Sequence, residues 1–164
     1  MPSPRLDRID MNILAELQRN GRMTNAQLAD AVGLSPSPCL LRVKRLQSSG
    51  IITGYGAQID LRKLGPSITI FLEVTLTQHR SANFQRFEAG LRRRPEVVEC
   101  HLISGGFDYL VKLVVRELSH YQDMMETLQE ENIGIAKYFS YVVVKSPIEH
   151  GEVPLKLLFE DEGE

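Results

Sequence analysis

Arg42, Lys44 and Arg45 stand close together in a stretch, Ser35 to Gly50, that carries no acidic residue. Cations grouped on one short helix supply what phosphate oxygens need, and small hydroxyl residues at a helix start, here Ser35 and Ser37, fit a major groove. Leu41 adds an apolar tip of the kind that meets a thymine methyl. Asn25, near the start of the preceding segment, offers a side-chain amide and nearby N–H groups to a phosphate. Alone, the three cations would more readily describe a solvated helix face. The frame around them favours docking: two short helices joined at Gly33 have the form of a helix-turn-helix whose second helix lies against double-stranded DNA.

A second chemistry is suggested by Ser104 to Tyr109 (SGGFDY). A Gly-rich turn lets backbone N–H groups approach a carboxylate closely, and Asp108 is an acceptor for an ammonium, so an amino-acid zwitterion would find both partners there. On the residues alone a plain hairpin turn, with Asp108 satisfying local backbone, is the stronger reading.

Other chemistries find less support. His79, His101, His120 and His150 are scattered, and no Cys/His spacing has metal-site form. G-x-S-x-G, H-E-x-x-H and P-loop sequences are missing, so neither an enzyme nor a cofactor is expected. Cys39 and Cys100 are read as two reduced thiols. No apolar run approaches the ~20 residues of a membrane span, and the opening MPSPRLDRIDMNI lacks a signal-peptide core, so the protein is expected in the cytoplasm. Net charge is −2, but nine cations face five anions through Leu64 and ten face sixteen beyond it. A basic front and an acidic back suggest two modules with different partners.

The elements that must position these residues follow from periodicity and caps. Leu6, Ile9, Ile13 and Leu17 predict a helix over about Asp7–Arg19. Thr24 with Gln27 forms a capping box for the next helix, which Gly33 ends. Ser35 caps a third helix, with Pro36 at its first position and Cys39, Val43 and Leu46 facing inward until Gly50 closes it. Ile51–Ile59 is read as a small wing hairpin or an exit strand, and residues 61–66 as a hinge. Beyond it, strands are expected at 67–77, 97–104, 109–115 and 135–145, with helices at 82–94 and 118–131. That β-α-β-β-α-β order is ferredoxin-like. Residues 155–159 (LKLLF) are expected to cover a sheet edge, and the acidic tail 160–164 to fray. The predicted fold is α+β: a winged helix-turn-helix with its exit strand in 1–60, then a ferredoxin-like domain in 67–164.

A basic helix-turn-helix followed by such a domain with a Gly105-Gly106-Phe107-Asp108-Tyr109 turn resembles the Lrp/AsnC family. The likeness runs through Leu6-Asp7-Arg8-Ile9-Asp10, Asn20-Gly21-Arg22, Leu34 to Cys39, Arg42-Val43, Arg45-Leu46 and Gly50-Ile51-Ile52. It continues through Glu99-Cys100-His101-Leu102 and Ser104-Gly105 to Phe107-Asp108-Tyr109-Leu110. The resemblance implies a sequence-specific, amino-acid-responsive transcriptional regulator whose effector domains pair through their sheets into homodimers and on into octamers or similar rings. It implies that the loop of Ser104, Gly105, Gly106, Phe107, Asp108 and Tyr109 approaches the effector, with Ser140 and Tyr141 lining the same cleft. One departure is Gly106, where the family usually carries an acid. An effector-independent, nucleoid-type architectural DNA-binding protein is the alternative reading.

Overall fold

The computed structural model describes residues 6–149 and 151–159; His150 and the acidic tail 160–164 lie outside the described residues. The chain divides into two units, one built from the residues up to Gln58 together with the segment from Ile148 onward, the other from Ile59–Pro147.

The first unit is built on a cluster of the first three helices. Helix α1 (Arg8–Arg19) starts at Asp7, which trades side-chain-to-backbone hydrogen bonds with Asp10 and so satisfies donors that a helix start leaves orphaned. Helix α2 (Asn25–Ala31) starts at the predicted Thr24–Gln27 capping box. The turn after it passes through Gly33 at φ +69°, where a β-carbon would be strained. Helix α3 (Pro36–Ser48) starts after Ser35, whose side chain makes no capping bond. Ile13, Leu28, Ala29, Cys39 and Leu46 close the core of this unit, with Leu14, Leu17 and Val43 half-buried around them.

Two expectations are corrected here. Residues 51–59 form neither wing hairpin nor exit strand. Ile51 and Ile52 both donate to the Leu46 carbonyl and extend the cap of α3; past them Gly54 and Gly56 interrupt the run, and a strand needs a ladder partner that no described residue supplies. The LKLLF segment forms a short helix, α6 (Leu155–Phe159), against α1 rather than over a sheet edge. The Gln18 side chain fixes it there, donating to the Val153 carbonyl at 2.9 Å and accepting from the Val153 N–H at 3.3 Å, while Arg19 reaches Glu152.

The second unit has the predicted β-α-β-β-α-β order. Strands β1 (Ile68–Leu76), β2 (Val97–Leu102), β3 (Tyr109–Val115) and β4 (Ile135–Val142) form an antiparallel sheet in the order β2-β3-β1-β4. Helices α4 (Ser81–Arg92) and α5 (Leu118–Glu130) supply the other layer. Alternation along β1 and β3 sends Ile70, Leu72, Val74, Val111 and Leu113 into a core with Phe87, Met125 and Leu128. The opposite sheet face carries the residues between them, among them Phe71 and Glu73 opposite Tyr141 and Phe139. β4 stops at Val142 rather than reaching Lys145, and α4 stops at Arg92, short of Pro95.

At Gly90, α4 packs tightly on the loop before β4. A β-carbon there would lie 2.8 Å from Ile133 Cγ2, and both residues are buried. Gly90→Ala should therefore lower thermal stability by roughly 1–3 kcal/mol, the usual cost of overpacking. Ile133→Ala in the same background should recover part of that loss in a denaturant titration, because it removes the clashing branch.

Candidate nucleic-acid interface and effector loop

The α2–α3 corner is braced by Asn25, whose side-chain amide donates to the Pro36 carbonyl at 2.8 Å. Expected at a phosphate, Asn25 thus spends one of its donors on the corner itself. Of the first three helical positions of α3, Pro36 and Pro38 have no N–H, so only Ser37 offers a backbone donor. Phosphate contact at this end therefore falls mainly to side chains.

Ser37, Leu41, Lys44 and Ser48 fall at i, i+4, i+7 and i+11 and are all exposed, forming one stripe down the outside of α3. Leu41, at 69% exposure, is an unusually open leucine for a helix of a packed unit. Ser35 lies exposed just ahead of the stripe. Among the described residues Lys44 has no ion pair.

Arg42 and Arg45 occupy the shoulder of the helix that faces α1. Arg42 Nη1 donates to Asp7 Oδ2 at 2.6 Å and to Asp10 Oδ1 at 2.9 Å, and Arg45 Nη2 donates to the other oxygen of Asp10. The Asp10 side chain is fully buried and also accepts the Asp7 N–H. Three donors thus converge on one carboxylate withdrawn from water. Hydrogen bonds to Asp7 and Asp10 push the Arg42 guanidinium above its ordinary value. The Asp10 N–H, with Arg42 assisting, holds the Asp7 carboxyl below its own against a smaller opposing effect of burial. Removing one partner from a buried pair strands the other, at about 3–5 kcal/mol. Arg42 and Arg45, read from sequence as phosphate ligands, are thus engaged within the protein, though Arg45 keeps half its side chain exposed. Asp7 and Asp10 were missed as site residues. Their local signal was an i, i+3 acid pair at a helix start, which says nothing of partners 32 to 35 residues away.

In the second unit, Ser104, Gly105 and Gly106 are exposed and Phe107 is half-buried. Asp108 is held on all sides. Its Oδ2 accepts the Leu76 N–H at 2.7 Å, His79 Nε2 lies 2.9 Å from Oδ1, its own N–H donates to the Val74 carbonyl, and its carbonyl accepts from Ile103. The local-backbone reading of Asp108 is therefore realised, and His79, which no motif singled out, caps its outer side. Tyr109 leaves the loop for the core: it is buried against Phe87 with ring centroids 4.6 Å apart, and its hydroxyl donates to Glu88 at 2.9 Å. Burial, then Glu88, drives that phenol far above the ordinary tyrosine range. Ser140, opposite the buried Leu72, faces the helices and shares a hydrogen bond with the Tyr121 hydroxyl. Tyr141, one residue on, faces the other side of the sheet and donates to Glu73 at 3.2 Å. Within one subunit Tyr109 turns into the core and Ser140 and Tyr141 lie on opposite faces of β4. No group of His, Cys, Asp and Glu among the described residues is arranged to hold a metal ion, and both cysteines are free.

A helix-turn-helix with an exposed, acid-free stripe and a separate ferredoxin-like unit define a DNA-binding protein with an appended ligand domain. Residues 6–53 match the family model of a winged helix-turn-helix DNA-binding domain, and residues 69–153 match the Lrp/AsnC ligand binding domain. The transcriptional regulatory protein DoeX of Halomonas elongata is 41% identical over 142 residues, 87% of this chain and 90% of that one. The leucine-responsive regulatory protein of Salmonella typhimurium is 40% identical over 155 residues, 94% of each chain. A Neisseria meningitidis transcriptional regulator crystallised as its L-Met complex superposes with a TM-score of 0.86 at 31% identity, covering 94% of this chain and 99% of that one. The chain belongs to the Lrp/AsnC family of DNA-binding transcriptional regulators. No helix among the described residues is long and apolar enough to cross a membrane.

The Asp7 end of the arginine cluster makes a pH prediction. Its folded-state value lies below the ordinary 3.8, so its stabilisation is complete above that value and is lost as pH falls through the folded one. Asp7 is half-exposed, so the contribution is about 1 kcal/mol or less. Wild type should melt above Asp7→Asn at neutral pH, and the two melting curves should draw together below 3.8 and converge only as the pH falls through the lower folded-state value.

Proposed function

We propose that this protein is a homo-oligomeric, cytoplasmic transcriptional regulator, with no enzymatic activity of its own, that docks α3 in the major groove of double-stranded DNA and changes state on binding an amino acid. The observation that carries the reading is the outward stripe of α3, where Ser37, Leu41 and Lys44 meet solvent with no acid among them. Ser35, Ser37 and Leu41 touch base edges and the thymine methyl; Lys44 takes a phosphate; Asn25, Arg42 and Arg45 hold the corner and the helix in place.

Two subunits pair through the open sheet face bearing Phe71, Phe139 and Tyr141, the first half-buried and the others half-exposed in the single chain. That surface is apolar enough to be covered and polar enough, with Glu73 and Lys112, to be specific. Higher assembly follows from such dimers. The amino acid sits at the Ser104–Phe107 turn. Backbone N–H groups of Gly105 and Gly106 face its carboxylate, and Asp108 takes its ammonium once His79 gives way. Tyr141 joins that cleft from a second subunit. An amino-acid effector is supported by the ligand-domain match and by the L-Met complex of the neisserial relative. The same match favours a responsive regulator over an effector-independent architectural protein.

An operator selected from random duplexes tests the first half. Lys44→Ala should reduce the slope of log affinity against log salt by about 0.9, the value of one phosphate contact; an unchanged slope would remove α3 from the interface. A thermal-shift screen of the twenty amino acids tests the second half. At least one should raise the melting temperature, and Asp108→Asn, which keeps an oxygen for the Leu76 N–H, should abolish that rise while ligand-free DNA affinity stays the same. If no amino acid produces a shift, the effector assignment fails.

A further inference from the structure

The buried cluster on the α1 side of α3 raises a question that the docking reading leaves open. Cations beside a DNA-facing surface are ordinarily most useful when free, yet here two of three are tied to acids of the same unit. The spacing is matched: Asp7, the cap of α1, and Asp10 lie three residues apart, as Arg42 and Arg45 do on α3. Only Asp10 touches both arginines, one with each oxygen, and it does so at zero exposure.

We infer that Asp10 is a positioning residue for DNA recognition: by holding Arg42 and Arg45 against α1, it fixes the rotation of α3 that turns Ser37, Leu41 and Lys44 outward. The argument rests on the proposed docking of α3. Apolar packing of Cys39, Val43 and Leu46 is non-directional, and the Asn25 and Ile51–Ile52 bonds pin only the two ends of α3, so neither alone fixes the rotation of its middle turns. A carboxylate accepting a guanidinium on each oxygen allows one orientation. The geometry also withholds charge. With Asp10 in place, exchanging it for a phosphate would leave a buried anion unpaired, so Arg42 stays home on any DNA sequence. Phosphate attraction, which carries no sequence information, is held down, and base-edge contact by the stripe gains in relative weight.

Asp10→Asn removes a negative charge beside DNA, which by simple electrostatics should only help binding. On the clamp reading it frees Arg42 and Arg45 to reach phosphates and lets α3 roll. The full-length protein is titrated against its selected operator and a scrambled duplex across a salt series, with circular dichroism establishing that the variant is folded. Expected is a roughly tenfold fall in the operator-to-scrambled affinity ratio, together with a salt slope steeper by about 0.9 for each arginine released. A purely structural loss would weaken both duplexes equally and leave the slope alone, and that result would overturn the inference, as would an unchanged ratio. Should Asp10→Asn fail to fold, Asp7→Asn, at a half-exposed position that holds only Arg42, should move both readouts the same way by a smaller amount; no movement there overturns the inference equally. Lys44→Ala is run alongside. If its slope falls while the aspartate variants behave as wild type, the clamp alone is wrong; if Lys44→Ala is also silent, the docking of α3 and the clamp fall together.

Discussion

The meeting of the Asp10 carboxylate with Arg42 and Arg45 is the contact on which the first unit's usefulness depends. Burying that anion is tolerable only because each oxygen is met by a guanidinium and one also by a backbone N–H. Among the described residues the packed cluster of this unit is small, five buried side chains with a half-buried rim, and would bring α1 and α3 together without fixing their register. The ion cluster adds direction to an attraction that has none.

The second unit solves a different problem by alternation. Every other residue of β1 and β3 is consumed by the helices α4 and α5, which leaves the remaining positions as a second face with its own composition. At the end of that sheet the Asp108 carboxylate stitches the turn to the last residues of β1. The turn itself is therefore exposed but anchored, with its freedom confined to Ser104, Gly105 and Gly106. An anchored loop suits reversible binding of a small molecule, since little of it must be ordered on contact.

Much of this was legible in the amino-acid order, and for identifiable reasons. Thr24 and Gln27, Ser35 and Pro36, and Gly33 are local punctuation, and the helices begin and end where they indicate. Alternation at Ile70, Leu72 and Val74 specified both a strand and the face it buries. The same rule, applied to Ser140 and Tyr141, would have placed them on opposite sides of β4. The roles of Arg42 and Arg45 were not legible, because a cation's sequence neighbours do not reveal an anion a helix away in space. Nor was the seat of residues 155–159: an apolar pentapeptide states that it will be covered, not by what, and the bonds between Gln18 and Val153 decide it. The turn at Gly105 was found as a turn, while the capping of Asp108 by His79 depends on where β1 ends in space.

Pro36 and Pro38 bracket the leading end of α3 and leave it a single N–H. Their rings also freeze two backbone torsions that any other residue would let wander. The tip that would enter a groove is therefore stiff before contact and has little disorder to surrender on arrival. Such a tip behaves as a template rather than as putty: it cannot mould itself to a misfit, and unsuitable sequences would be rejected by shape at the moment of collision.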